Sequence, residues 1–211
     1  MDKQIEEYLM HTIDKKADWV SRLEEYAAEN RVPIMEPLGM DFLMQIVRLK
    51  KPKKILEIGS AIGYSALRML EASPETQIVT IERDEIRYQE AVSNINKLAP
   101  ENKITVIFGD ALEETNEIKK LAPYDLLFID AAKGQYQRFF ETYSEYLTED
   151  AIIISDNVLF KGLVANSSSD KDRLTNLAIK IRTYNEWLIK HPSYKTSIVP
   201  IGDGVAISVR R

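Results

Sequence analysis

Apolar residues return every three or four positions through the first fifty residues, and afterwards gather into short unbroken runs. Between residues 4 and 30 the positions Ile5, Tyr8, Leu9 and Ile13, then Trp19, Val20, Leu23, Tyr26 and Ala27, keep helical spacing with charges between them, which predicts two amphipathic helices. Pro33 and Pro37 interrupt that rhythm, and a third helix with Phe42, Leu43, Ile46, Val47 and Leu49 on its apolar side is predicted up to Pro52. Beyond Pro52 the period changes. Residues 55–58, 78–81, 104–108, 126–129 and 152–154 are short, largely β-branched runs of the kind found in strands buried on both faces. Helix-length segments separate them, so the strands should lie parallel in a doubly wound α/β sheet. A polar loop around Ser167-Ser168-Ser169 and a helix over 174–190 follow; 197–200 and 205–209, joined across Gly202-Asp203-Gly204, are then close enough to form an antiparallel hairpin. The expectation is one domain over 1–211, with 1–51 a helical cap and 52–211 a seven-stranded, mostly parallel core.

Composition narrows the classes of function. The length of 211 residues allows one sizeable domain. Cysteine is absent, which removes disulfides, thiolate zinc sites and a cysteine nucleophile from consideration. The polar start, Met1-Asp2-Lys3-Gln4-Ile5-Glu6-Glu7, does not resemble a signal peptide, and no apolar run has the length of a membrane span, so a cytoplasmic protein without a membrane partner is expected. A net charge of −5 argues against a general nucleic-acid coat, but the charge is uneven. Seven Lys or Arg stand against three acids between 161 and 195, and five basic residues with no acid lie between 48 and 54. Taken singly, either cluster reads most simply as a solvated face.

Chemistry concentrates at the ends of the expected strands, where a parallel sheet collects its ligands. The first run ends in Glu57-Ile58-Gly59-Ser60-Ala61-Ile62-Gly63, with two glycines four apart before a helix. Gly59 can turn the chain out of the sheet without a Cβ clash, and Gly63 permits close backbone approach. The spacing is E-x-G-x-x-x-G, not the dinucleotide pattern G-x-G-x-x-G, and the Glu57 carboxylate would repel a pyrophosphate. A cationic ligand suits it better, and S-adenosylmethionine is the common cofactor with that charge. The second run is followed by Glu82, 23 residues after Gly59, near the spacing at which an acid grips ribose hydroxyls; a helix start, with Asp84, would favour the same charge. After the third run comes Asp110, placed to accept from an adenine amino group or to cap the next helix, beside Ala111, small enough to leave room for a ring.

The fourth run ends in Asp130-Ala131-Ala132-Lys133 and the fifth in Ser155-Asp156-Asn157. Adjacent strands lie about 4.8 Å apart, so if these two are neighbours, Asp130, Asp156 and Asn157 come within reach of one ion. They are hard oxygen ligands, and the only histidines, His11 and His191, are not at strand ends, so Mg2+ or a similar ion is favoured over zinc. Each acid alone would more simply cap a helix. Lys133 is placed to take a proton from an acceptor hydroxyl or to steady its oxyanion.

Glu57 to Gly63 resembles motif I of the class I methyltransferases, whose Rossmann-like sheet also has seven strands ending in a hairpin. Asp130 with Lys133, then Asp156-Asn157, resembles the metal-dependent O-methyltransferases that include the catechol and caffeoyl-coenzyme A enzymes. That resemblance, running from about Val32 to the C-terminus, implies that Asp130, Asp156 and Asn157 hold the metal. It also implies that Met35, Glu57, Gly59, Ser65, Glu82, Asp110, Ala111 and Asp130 line the S-adenosylmethionine pocket, although 35–39 only approximates the family's pattern. Asp130 and Lys133 are then the expected catalytic residues, and the N-terminal helices would cover the cofactor or build a homodimer.

More narrowly, 32–36, 129–137 and 155–165 are similar to the bacterial tRNA 5-hydroxyuridine methyltransferases, which make 5-methoxyuridine at wobble position 34. An anticodon stem-loop is therefore the expected partner. Lys161, Lys171, Arg173, Lys180 and Arg182 are candidate phosphate contacts, and Tyr136 and Phe160 could stack on a splayed base, the core being their simpler place. A small catechol or phenylpropanoid acceptor is the alternative, since a metal-chelated hydroxyl needs only a vicinal oxygen.

Overall fold

A computed structural model describes residues 3–160, 162–165 and 173–211. Three helices, α1 (Lys3–Thr12), α2 (Asp18–Asn30) and α3 (Pro37–Lys50), precede the sheet. Pro37 occupies the first turn of α3, where its missing N–H costs nothing, and α2 and α3 end on Arg31 and Lys51 in the left-handed conformation. The α2 helix buries Val20, Leu23 and Ala27, whereas α1 buries no residue.

The strands are β1 (Lys54–Ile58), β2 (Gln77–Glu82), β3 (Ile104–Phe108), β4 (Tyr124–Ile129), β5 (Leu147–Ser155), β6 (Tyr194–Val199) and β7 (Val205–Arg210). Between them run α4 (Tyr64–Ala72), α5 (Glu85–Leu98), α6 (Thr115–Lys120), α7 (Tyr136–Ser144) and α8 (Arg173–Lys190). All seven strands form one sheet in the order β3-β2-β1-β4-β5-β7-β6, parallel from β3 to β5, with β7 antiparallel to both neighbours. This is the Rossmann-like sheet with its terminal hairpin that the apolar runs imply. The central strands are covered on both faces: Ile55, Leu56, Leu126, Leu127, Phe128, Ile129, Ile153 and Ile154 are fully buried. One core packs Leu56, Ile58, Leu127 and Ile129 with α7 and α8, and a second packs Ile55, Leu126, Phe128 and Ile154 with α2, α3 and α4.

Most strands overrun their apolar runs by a residue or two, and β5 and β6 extend furthest. β5 begins at Leu147, with the register against β4 shifting between Tyr124 and Leu126, and its added segment contains the exposed Glu149 and Asp150. β6 begins at Tyr194, and along it Tyr194 and Thr196 are buried while Lys195 and Ser197 are exposed, the period-two pattern of an edge strand with one covered face. Among the described residues no helix is long and apolar enough to cross a membrane.

Candidate active site

The strand order reverses direction between β1 and β4, so the connections leaving their carboxyl ends part to opposite sides and open a crevice. A cavity of about 380 Å3 occupies it. The backbone there is tightly drawn: Gly59 N–H donates to Ile81 O at 3.1 Å and Asp130 N–H to Ile58 O at 3.0 Å. Gly59 has φ +101°, and a Cβ on it would stand 2.2 Å from the carbonyl oxygen of Asp130. Only glycine lets the first turn pass that close to the end of β4.

Gly59, Glu82, Asp110, Ala111, Asp130, Lys133 and Asn157, which follow the strand ends, line this cavity together with Met35 before α3 and Ser65 in the first turn of α4. Glu82 is buried and ties the turn together. Its Oε2 accepts from Ala61 N–H at 2.8 Å, and its Oε1 accepts from the N–H groups of Arg83 and Asp84 at 2.9 Å each. Helix capping falls instead to Asp84, whose Oδ1 accepts from Arg87 N–H at 3.0 Å. Asp110 lines the cavity, and it does not cap α6, whose N-cap is Glu114; its Oδ1 instead accepts from Leu112 N–H at 2.9 Å, closing the turn that follows β3.

Glu57 is a correction. It does not face the cavity; it is fully buried behind the cavity wall, its Oε1 accepting from Ser65 Oγ at 2.5 Å and its Oε2 from Thr80 Oγ1 at 2.5 Å. Thr80 is its direct register partner on β2. Burial pushes its carboxyl up to about 7, the two hydroxyls pull it down, and the charges of Asp130 and Glu82 push it further up. Ser65 is thus the group through which Glu57 bears on the cavity.

The acids at the tips of β4 and β5 converge. Asp156 N–H donates to Ile129 O at 3.0 Å, and the Asn157 amide nitrogen donates both to Asp130 Oδ1 at 3.1 Å and to Asp156 Oδ2 at 2.9 Å. Burial raises the pKa of Asp130, while Lys133 and the Asn157 amide oppose the shift. Asp156 is raised well above the carboxylate range by burial and then by the charge of Asp130. Beside them the buried Tyr136 hydroxyl has no hydrogen-bond partner among the described residues, and its phenol is held well above its ordinary range by burial and then by the charges of Asp130 and Asp156.

Two crowded carboxyls and an amide form a donor set suited to a hydrated divalent cation. The amide nitrogen now supplies the partial positive charge, and the same amide turned over presents its oxygen. Among the described residues no group of three or more His, Asp or Glu side chains assembles, so two acids and one amide are the whole candidate set. Lys133 opens a short 3-10 turn, Lys133–Gln135, and its Nζ lies 5.7 Å from the centroid of the Phe160 ring.

The outlying candidates fare unevenly. Tyr136 is core, 1% exposed and edge-on to Tyr184, so it is not available to stack on a base. Phe160 packs against the core beneath Lys133. Arg182 turns inward, its Nε and Nη2 donating to Val164 O at 2.9 and 2.6 Å, and so is committed to holding the 163–165 turn rather than presented to a phosphate. Lys180 is exposed, close to Gly134 in the turn that carries Lys133. Arg173 begins α8, and Lys161 and Lys171 lie outside the described residues.

Sequence reasoning missed Tyr64, Arg83, Arg87 and Phe139 in the cavity wall. Tyr64 directly follows Gly63, and Arg83 directly follows Glu82, so adjacency to a recognised strand end was their one available signal. The Tyr64 hydroxyl donates to Glu24 Oε1 at 2.7 Å, tying α2 to this wall.

A Rossmann-like sheet with a glycine turn, an acid at the end of β2 and paired acids across β4 and β5 defines a class I transferase. The chain belongs to the O-methyltransferase family, whose model matches residues 10–211. A caffeoyl-CoA O-methyltransferase from Populus kitakamiensis is 32% identical over 175 residues, 80% of this chain and 74% of that protein. A flavonoid 3',5'-methyltransferase from Vitis vinifera is 30% identical over 193 residues, covering 88% and 81%. Among solved structures, a candidate caffeoyl-CoA O-methyltransferase from Staphylococcus aureus superposes with a TM-score of 0.88 at 38% identity, covering 99% of this chain and 98% of that one. An O-methyltransferase from Bacillus cereus in complex with SAH superposes with a TM-score of 0.84 at 26% identity, covering 99% and 97%.

Proposed function

We propose that this chain transfers a methyl group from S-adenosylmethionine to 5-hydroxyuridine at wobble position 34 of tRNA, giving 5-methoxyuridine, with Mg2+ or a similar divalent ion as cofactor. The observation that carries the reading is the single Asn157 amide shared by Asp130 and Asp156 at the mouth of the Gly59 cavity. When bound, S-adenosylmethionine supplies the methyl as a sulfonium electrophile; Glu82 and Asp110 would hold its ribose and adenine, with Met35, Ser65 and Ala111 shaping the walls. A divalent ion held by Asp130, Asp156 and the Asn157 amide oxygen would supply Lewis acidity to a hydroxyl beside a second oxygen.

Lys133 would take the acceptor's proton at Nζ as a neutral amine, or as an ammonium would steady the oxygen once ionised, and the oxygen's electron pair would then form the new bond to carbon as the old bonding pair stays on sulfur. Met35, Ala111 and Phe139 keep part of the cavity apolar, which strengthens the electrostatic pull of the charged groups facing it.

The tRNA acceptor is supported by the resemblance of 32–36, 129–137 and 155–165 and by the exposed Lys180 near the turn that carries Lys133. A second reading, a small catechol or phenylpropanoid acceptor, is favoured by the names of the plant relatives. Purified protein supplied with labelled S-adenosylmethionine and either tRNA containing 5-hydroxyuridine or a free catechol separates them. Label in the tRNA nucleoside at a kcat/KM well above that for catechol is the expected result; the reverse ranking supports the small-molecule enzyme. The same reading includes a homodimer built on α1, which leaves Ile5, Tyr8 and Met10 exposed.

A further inference from the structure

Three backbone hydrogen bonds fasten the loop after β5 to the turn between β6 and β7. Val158 N–H donates to Gly204 O at 3.0 Å, and Leu159 and Phe160 N–H both donate to Asp203 O, at 2.8 and 3.1 Å. The fastened loop begins at Asn157, which bridges the two acids, and ends at Phe160, which lies beneath Lys133. Both end residues have left-handed backbones, with φ +59° and +45°. Asn adopts that conformation readily, but for a bulky residue such as Phe160 it is disfavoured and persists only where the surroundings impose it.

The turn is itself rigidly placed. Gly204 has φ +89°, its N–H donates to Ile201 O at 2.9 Å, and a Cβ on it would stand 2.4 Å from Leu159 Cγ and 2.8 Å from Leu159 N. Such contact leaves no room for a side chain between turn and loop.

We infer that Asp203 and Gly204 form a positioning element of the active site: their carbonyls hold 157–160 in the shape that sets the Asn157 amide on Asp130 and Asp156 and the Phe160 ring beneath Lys133. None of its residues touches the reacting atoms. Its consequence for metal binding rests on the divalent-ion reading above, while the clamp stands on the hydrogen bonds alone.

The test compares Gly204→Ala with Gly202→Ala in the full chain, titrating Mn2+ and S-adenosylhomocysteine separately by calorimetry. Gly202, also at positive φ (+53°) but with no atom nearer than 3.7 Å to the place a Cβ would take and with no carbonyl in the clamp, is the control for left-handed strain alone. Gly204→Ala should weaken Mn2+ binding by about tenfold or more, the scale on which groups supporting a ligand act, and leave S-adenosylhomocysteine binding unchanged. Gly202→Ala should match the unaltered protein in both.

Equal Mn2+ affinity in Gly204→Ala, or a parallel loss of S-adenosylhomocysteine affinity, would overturn the inference. Hydrogen exchange on the unaltered protein decides the matter even if Gly204→Ala does not fold: the amides of Val158, Leu159 and Phe160 should be protected like those of β7, and free exchange there removes the clamp. Failure of the unaltered protein to bind Mn2+ would instead overturn the divalent-ion reading and the turn's role in it together.

Discussion

Glu57 carries a charge that burial disfavours, and its placement could not be read from the sequence. An acid two residues before a glycine turn looks like a ligand group, because a one-dimensional pattern gives no sign of which face of β1 the side chain takes. The face it takes is the one shared with Thr80 and Ser65. The consequence is a pH dependence of stability. In the unfolded chain the carboxyl ionises near its ordinary 4.5, and in the folded protein at about 7. Between those values the folded state binds more protons, so unfolding free energy falls as pH rises, by roughly 3 kcal/mol across the window, with no further loss above it. Glu57→Gln keeps the shape, and the Ser65 and Thr80 hydroxyls can rotate to suit the amide. Denaturant unfolding at several pH values should therefore show a shallower decline in that variant from pH 4.5 to 7; identical slopes would contradict the assignment. Asp130, Asp156 and Asn157 were readable for the opposite reason. Asp130 follows directly on an unmistakable apolar run and Asp156-Asn157 follow one residue beyond another, and ligands of a parallel sheet collect just past the carboxyl ends of its strands.

At the scale of elements, the central parallel strands were legible because strands buried on both faces are apolar at every position, and the hairpin because two short runs flank Gly202-Asp203-Gly204. β6 was only half legible, its exposed Lys195 and Ser197 diluting the signal, and the first residues of β5 are held by pairing with β4 rather than by burial. The N-terminal helices split by partner. α2 is anchored through Val20, Leu23 and the Glu24–Tyr64 hydrogen bond, whereas the periodicity of α1 predicts a buried stripe that the single chain does not bury. Covering that stripe with a second copy follows from the same periodicity. Light scattering should give twice the chain mass, and Ile5→Glu with Tyr8→Glu should halve it without altering the far-UV spectrum; a monomeric unaltered chain would contradict the homodimer. Arg182 shows the limit of charge counting, since a basic run carries no record of which members are engaged by neighbouring carbonyls.

For the whole molecule, the sheet does one thing on which the chemistry depends. It brings the ends of β1, β2 and β3 to one side of the cavity and those of β4 and β5 to the other, so that a methyl donor and an acceptor would meet across Asp130, which belongs to both sides. Methyl transfer by the purified protein, measured after chelation with EDTA and again after Mg2+ is restored, tests that arrangement most directly, with Asp130→Ala run alongside. Lewis-acid assistance contributes several kcal/mol, so chelation and Asp130→Ala should each lower the rate by about a hundredfold or more, and Mg2+ should restore only the unaltered enzyme. Undiminished turnover in chelator, or in Asp130→Ala, would contradict it.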